Sequence, residues 1–176
     1  MDEHTKLLSE LFNYIEKEEI KKILDAGSER TSLNNLISNF PNASIDAIIC
    51  YNDDRKKNSI YENVKSSNFS LYEKDITKDT MTGHHDLVLA HLLLGEATKW
   101  GNNLKELLNK LLEINSKYFI IVDYKEDPTI DYKYLEELLN SNFNIIKKLE
   151  ITKNIPQKFN EFIGENYVGY IIKNLK

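Results

Sequence analysis

The 176-residue chain has 41% apolar residues, 29% charged residues and a formal net charge of −5, which fits a globular domain and excludes a disordered chain or a broad basic face for nucleic acid. Cys50 is the sole cysteine, so an internal disulfide and a thiolate metal cluster are both excluded. No apolar run approaches the roughly 20 residues of a membrane span, and the acidic start Met1-Asp2-Glu3-His4 lacks the basic-then-apolar order of a signal peptide, so no membrane contact and a cytoplasmic location are expected.

Residues 3 to 19 predict an amphipathic helix, with Leu7, Leu8, Leu11, Phe12 and Ile15 on one face and Lys and Glu opposite. This helix is set off from a single domain over residues 20–176. The stretch from Ile20 to Asp54 organises that domain. A short apolar run, Ile23-Leu24, turns polar at Asp25-Ala26-Gly27. A helix-like stretch from Ser32 to Phe40 follows, then a turn at Pro41-Asn42. A second apolar run, Ile45 to Cys50, ends in Tyr51-Asn52-Asp53-Asp54. Strand, turn, helix and strand make one right-handed parallel crossover unit. Asp53 to Val64 predicts a polar helix, and Phe69 to Tyr72 an alternating strand that stops at Asp75.

Asp86 to His91 is a near-continuous apolar run, the pattern of a strand covered on both faces. His84 and His85 precede it and are expected at the surface; adjacent histidines on a strand point apart, so they predict no metal site. Leu104, Leu107, Leu108, Leu111 and Leu112 mark a helix capped by Asn102 or Asn103. Tyr118 to Val122 is a second buried strand, closed by Asp123, and Leu135, Leu138 and Leu139 place another helix. Asn144 to Thr152 and Tyr167 to Ile172 predict two strands, joined through Asn154 to Gly164 in an antiparallel return. The alternation is that of one α/β layered domain.

In open parallel sheets ligands settle beyond the carboxyl ends of the strands. Asp25 to Gly27, Tyr51 to Asp53, Asp75, His91 and Asp123 all fall at predicted strand ends. Cys50 is expected as a buried strand residue and not a nucleophile. Both GxxxxGK[ST] and GxGxxG are absent, with Gly27 alone between Asp25 and Thr31. Glu29 stands where the next helix begins, and a carboxylate there would repel a pyrophosphate. The pair Asp25 and Glu29 thus favours a cationic ligand and tells against a nicotinamide or flavin oxidoreductase.

Three short motifs carry a family resemblance. Ile23-Leu24-Asp25-Ala26-Gly27-Ser28 resembles the first motif of class I S-adenosylmethionine-dependent methyltransferases, an acid followed by alternating glycines. Lys74-Asp75-Ile76 resembles the acid that the family places after its third strand, and Asp86 to His91 resembles the fourth-strand motif. The order of elements is similar to the family's over nearly the whole chain. The resemblance implies a Rossmann-like, doubly wound, mostly parallel seven-stranded sheet with helices on both faces and the last strand antiparallel. It implies S-adenosylmethionine as cofactor, with Asp25, Ala26, Gly27 and Ser28 at its amino-acid end. Tyr51 or Asp53 would meet the ribose, Asp75 and Ile76 the adenine, and His91 the sulfur. His91, with Glu96 behind it, would face the methyl acceptor as the catalytic groups.

The chain departs from that pattern at Glu29 and Thr31, where the family has its second and third glycines, and at Ile49, where it has the ribose acid. Two readings follow: a methyltransferase acting on an unidentified acceptor, and a non-catalytic protein on the same fold that binds S-adenosylmethionine or S-adenosylhomocysteine. Small molecule, protein and structured RNA stay open as acceptors, the acidic charge tilting away from RNA. The N-terminal helix offers an apolar face to the sheet or to a second copy in a homodimer.

Overall fold

The computed structural model describes residues 3–152 and 166–175. The first helix, α1 (Glu3–Leu11), is shorter than its apolar stripe, and 3-10 turns at Phe12–Tyr14 and Lys17–Glu19 carry the chain on. Phe12 and Ile15 remain buried beyond the helix end, so the stripe records core contact and not continuous helix. The chain then runs β1 (Lys22–Ala26), α2 (Arg30–Asn39), β2 (Ser44–Ile49), α3 (Asp54–Asn63) and β3 (Phe69–Glu73). It continues through β4 (His85–His91), α4 (Leu93–Lys99), α5 (Leu104–Leu112), β5 (Ser116–Tyr124), α6 (Tyr132–Asn142), β6 (Phe143–Ile151) and β7 (Tyr167–Asn174).

The strands form one seven-stranded sheet in the order β3-β2-β1-β4-β5-β7-β6. The β3-β2-β1-β4-β5 pairings are parallel, and β7 runs antiparallel to both β5 and β6. This is the doubly wound architecture expected, including the antiparallel final strand. The predicted Asn154–Gly164 connection lies outside the described residues.

Strand order reverses between β1 and β4, and there the carboxyl ends of adjacent parallel strands leave a crevice. One face of the sheet buries Leu7, Leu8 and Leu11 of α1, Leu33 and Leu36 of α2 and Ile60 of α3. The other buries Leu94 of α4, Leu107, Leu108 and Leu111 of α5, and Leu135 and Leu139 of α6. At roughly 1.5–3 kcal/mol per fully buried large aliphatic side chain, these two layers supply the main drive to fold. The amphipathic α1 therefore packs on the sheet. It lies close to β7, where a Cβ on Gly169 would meet Leu11 Cδ1 at 2.6 Å.

Two local expectations need correction, and one short helix is new. The helix α4 follows β4 directly, through Leu92 in the left-handed conformation (φ 55°, ψ 19°). Cys50 is exposed just past β2. His85 is buried, 2% exposed, whereas His84 is at the surface as expected. Among the described residues no helix is long and apolar enough to cross a membrane.

Candidate functional site

The carboxyl ends of β1, β2, β3 and β4 carry the predicted residues, and the structure gathers them into two sets. The first surrounds Asp25, the penultimate residue of β1, which is fully buried. Ser32, one turn into α2, donates from Oγ to Asp25 Oδ2 at 2.7 Å. Asp25 Oδ1 is buried without a hydrogen-bond partner among the described residues. Burial raises the Asp25 carboxyl to about 6, against the Ser32 and Ser28 hydroxyls, which lower it.

Ala26 ends β1 inside the apolar layer, and Gly27 turns the chain at φ +77°. Glycine is required at this turn, because other L-residues are strained at such a φ. The space above it is tight: a Cβ on Gly27 would lie 2.7 Å from Leu93 Cδ1. Ser28 is buried and stitches the loop down. Its Oγ donates to the Asp25 carbonyl at 2.8 Å and accepts from Ile48 N at 3.1 Å. Glu29 sits in extended backbone (φ −143°, ψ 170°), so the departure from glycine there costs no conformational strain.

The Glu29 side chain explains where His91 points. Glu29 Oε1 lies 3.3 Å from His91 Nδ1, and His91 Nε2 lies 3.0 Å from Nδ1 of His4 on α1. The His4 ring also packs against Tyr167, with centroids 5.2 Å apart. The nearby His91 ring holds the Glu29 carboxyl below its ordinary value against the burial that raises it. His91 was expected to face the acceptor. It is instead buried under α1, because residues 87, 89 and 91 of β4 alternate onto the face that α1 and α2 cover.

The second set lines the mouth of the crevice. Tyr51 is exposed and its hydroxyl donates to Asp79 Oδ2 at 2.7 Å. Asp53 caps α3, accepting from Lys56 N at 3.0 Å. Asp75 Oδ1 accepts from Thr77 N and Oγ1, and its Oδ2 pairs with Lys78 Nζ at 2.8 Å. The Lys78 ammonium, then the Thr77 hydroxyl, hold the Asp75 carboxyl below its usual range. Ile76 is buried in the layer below. Glu96, in the first turns of α4, reaches Lys56 Nζ at 2.7 Å and is half exposed. Burial first, then Asp75, Glu96 and Asp53, push the Cys50 thiol up against Lys56, which leaves it a poor nucleophile.

Ile49, in the position of the missing acid, is a core residue. Sequence reading passed over Ser32, His4, Lys56 and Leu93. Ser32 carried a usable signal, a small hydroxyl in the first turn after Glu29. The His4–His91 contact spans 87 residues in sequence and left none. A hollow of about 950 Å³, with Asn109, Ser116, Leu138 and Asn174 in its walls, opens where β5 starts and β7 ends and holds none of the predicted site residues.

No protein-family model and no curated protein matches the sequence. Solved structures match it in shape. The N-methyltransferase NodS from Bradyrhizobium japonicum WM9, in complex with S-adenosylhomocysteine, superposes with TM-score 0.69 at 7% identity over 99% of this chain and 89% of its own. An rRNA methylase from Escherichia coli gives 0.65 at 17% identity, with 96% of this chain and 64% of that one covered. A putative RNA methyltransferase, PH1948 from Pyrococcus horikoshii, gives 0.65 at 15%, with 99% and 83% covered. Strand order, the antiparallel last strand and these superpositions agree: the chain shares the fold of these methyltransferase structures.

Proposed function

We propose that the protein binds S-adenosylmethionine at the carboxyl ends of β1, β2 and β4 and transfers its methyl group to an acceptor. The observation that supports this most is the buried Asp25 carboxylate, one oxygen unpartnered among the described residues, two residues before Gly27 at positive φ. A buried acceptor atom without a partner is costly, and a cationic ligand beside it relieves that cost. The amino-acid end of the cofactor fits this corner in charge, and the turn at Gly27 leaves backbone near it. Tyr51 and Asp53 are the groups for the ribose, and Asp75 for the adenine amine. The internal bonds of Asp75 fix its orientation while a carboxylate retains further acceptor capacity.

When bound, the cofactor supplies an already activated sulfonium methyl. The protein's task is then alignment and electrostatic preorganisation. His91 has Glu29 at one ring nitrogen and His4 at the other. In this reading it holds the roof of the crevice, and Glu96 with Lys56 lines the acceptor side.

Titration calorimetry with S-adenosylmethionine and S-adenosylhomocysteine tests the reading. Saturable binding, weakened tenfold or more by Asp25→Asn, upholds it. Indifference of the wild-type protein to both ligands at millimolar concentration ends it.

Glu29 and Ile49 favour a second reading, a cofactor-binding protein without turnover. The Glu29 carboxylate occupies the region where a second glycine would leave open backbone, and Ile49 offers the ribose no acid. Binding of S-adenosylmethionine without conversion to its demethylated product, in the presence of small-molecule, protein and RNA fractions, would favour it.

A further inference from the structure

The connection from β3 to β4, residues 74–84, contributes no helix to the sheet. On the face shared with α4, α5 and α6, it leaves a cavity of about 250 Å³. That volume is just under the roughly 300–1,000 Å³ of drug-sized sites, so it suits a small ligand. Leu24 and Ile48 give it an apolar floor, and Met81 of the connection closes one side.

The polar groups in its wall form a built cluster. His85 is 2% exposed, and its Nε2 lies 3.0 Å from Asp46 Oδ2, so the ring bridges over β1 to reach β2. Lys22 Nζ lies 3.3 Å from the same oxygen. Lys74, also in the wall, reaches the Thr80 carbonyl with its ammonium at 3.5 Å and lies within electrostatic range of Asp79. His85 Nδ1 is buried with no hydrogen-bond partner among the described residues. With Asp46 holding the proton on Nε2, Nδ1 is left as the free basic nitrogen of the ring. Among the side chains that line the cavity, two ammonium groups face one carboxylate, with Asp79 beyond the wall beside Lys74.

We propose that this cavity binds a small organic acid, its carboxyl group between His85 Nδ1 and Lys74 and its apolar body on Leu24 and Ile48. The carboxylate pairs with the Lys74 ammonium, and a proton taken up from solvent at Nδ1 lets the ring donate to it while Nε2 stays hydrogen-bonded to Asp46. The site lies beneath the sheet face and does not share Asp25, Gly27, Glu29 or His91. It stands whether or not the crevice at the strand ends binds an adenosyl cofactor.

Nuclear magnetic resonance titration of the full chain with benzoate tests this, with inorganic phosphate as an anion lacking an apolar body. The expected result is saturable displacement of the His85 ring nitrogen signals and of the amides of Lys22, Leu24 and Met81. Lys74→Met and His85→Gln each weaken binding tenfold or more. Lys74→Met keeps the test sound if the buried His85 variant unfolds, since Lys74 is only partly buried. A response to benzoate well above that to phosphate supports an organic acid, and the reverse order overturns it. The proposal is also overturned if neither anion saturates at tens of millimolar, if Lys74→Met leaves the titration unchanged, or if S-adenosylhomocysteine competes with benzoate.

Discussion

Ser32 Oγ and Asp25 Oδ2 stand 2.7 Å apart, so the first turn of α2 reaches back to the strand it has just left. The hydroxyl also accepts from Glu29 N at 3.1 Å. One small side chain thereby fixes the buried carboxylate and the start of the helix together. Replacing Ser32 by Ala leaves ionised Asp25 without that donor, which costs about 1–3 kcal/mol at pH 7. At pH 4, where Asp25 is largely protonated, the loss shrinks. Urea unfolding of the variant at both pH values checks this, and an equal loss at each would contradict it.

Asp25 itself gives the folded protein a pH dependence of unusual sign. Its carboxyl is raised to about 6, chiefly by burial, whereas an unfolded aspartate titrates near 3.9. Between those values the folded state binds more protons than the unfolded one, so this residue's contribution falls as pH rises through the window and levels off above it. The full effect is roughly 3 kcal/mol, two pH units at about 1.4 kcal/mol each. Asp25→Asn removes the slope. Relative to wild type the variant gains stability progressively from pH 4 to pH 7, while losing affinity for the adenosyl ligand. Thermal unfolding across that range, wild type against variant, isolates the term from the carboxylates that shift the other way. A variant uniformly less stable at every pH would refute it.

Gly27 and Leu93 supply a geometric prediction. At φ +77°, any L-residue is strained, and a Cβ would also sit 2.7 Å from Leu93 Cδ1. Gly27→Ala should therefore cost about 1–3 kcal/mol from the backbone alone, with the contact adding to it. Removing the contact by Leu93→Ala recovers only the second part. The double variant should thus be less destabilised than the sum of the single variants, a coupling read by a double-mutant cycle. Strict additivity would show that Leu93 yields freely and that only the backbone matters.

What the sequence disclosed follows physical lines. The runs at Ala47 to Ile49, Leu87 to Ala90 and Tyr118 to Val122 are buried on both faces, so their apolar continuity announced parallel strands. Asn103 and Asp53 cap their helices as turn chemistry predicts. The short helix α4 escaped notice because it starts at Leu93 and runs through Leu94 and Gly95, with Leu92 and no polar residue in the cap position before it. Site legibility was uneven for a related reason. Residues at strand ends could be placed by position, but what covers each face could not: His91 shares the face of Leu87 and Leu89, and the helix that covers it brings His4 from 87 residues away. His85 looked like a surface residue until Asp46, 39 positions earlier, was brought beside it.

Glu29 tests the departure from the glycine pattern directly. Its backbone is relaxed, so Glu29→Gly removes a side chain without relieving strain. Loss of the pair with His91 should destabilise the protein by about 1–2 kcal/mol, less the discount for a carboxylate that is one-third exposed. Over the same change the crevice gains room beside Gly27, and affinity for S-adenosylhomocysteine should rise. Calorimetry on the variant decides. A further loss of affinity would make Glu29 a ligand-binding group in its own right.

The missing cap of α4 is supplied from another strand. Asp123, at the end of β5, accepts from Leu94 N at 2.8 Å and Gly95 N at 3.2 Å through Oδ2. These are helix-start amides that no preceding side chain satisfies, because the residue before α4 is a left-handed leucine. Asp123→Ala leaves both amides buried and unpaired, which should cost about 2–4 kcal/mol. Asp123→Asn keeps an oxygen for the amides and, with the wild-type carboxyl raised to about 6 by burial, sheds the cost of burying a charge at pH 7. The asparagine variant should therefore stay close to wild type at pH 7 while the alanine variant does not. Hydrogen exchange at Leu94 and Gly95 locates the effect: it should quicken in Asp123→Ala and hold steady in Asp123→Asn. Equal protection in both variants would mean that packing of Leu94 in the apolar layer, and not the carboxylate, holds the start of α4 in place.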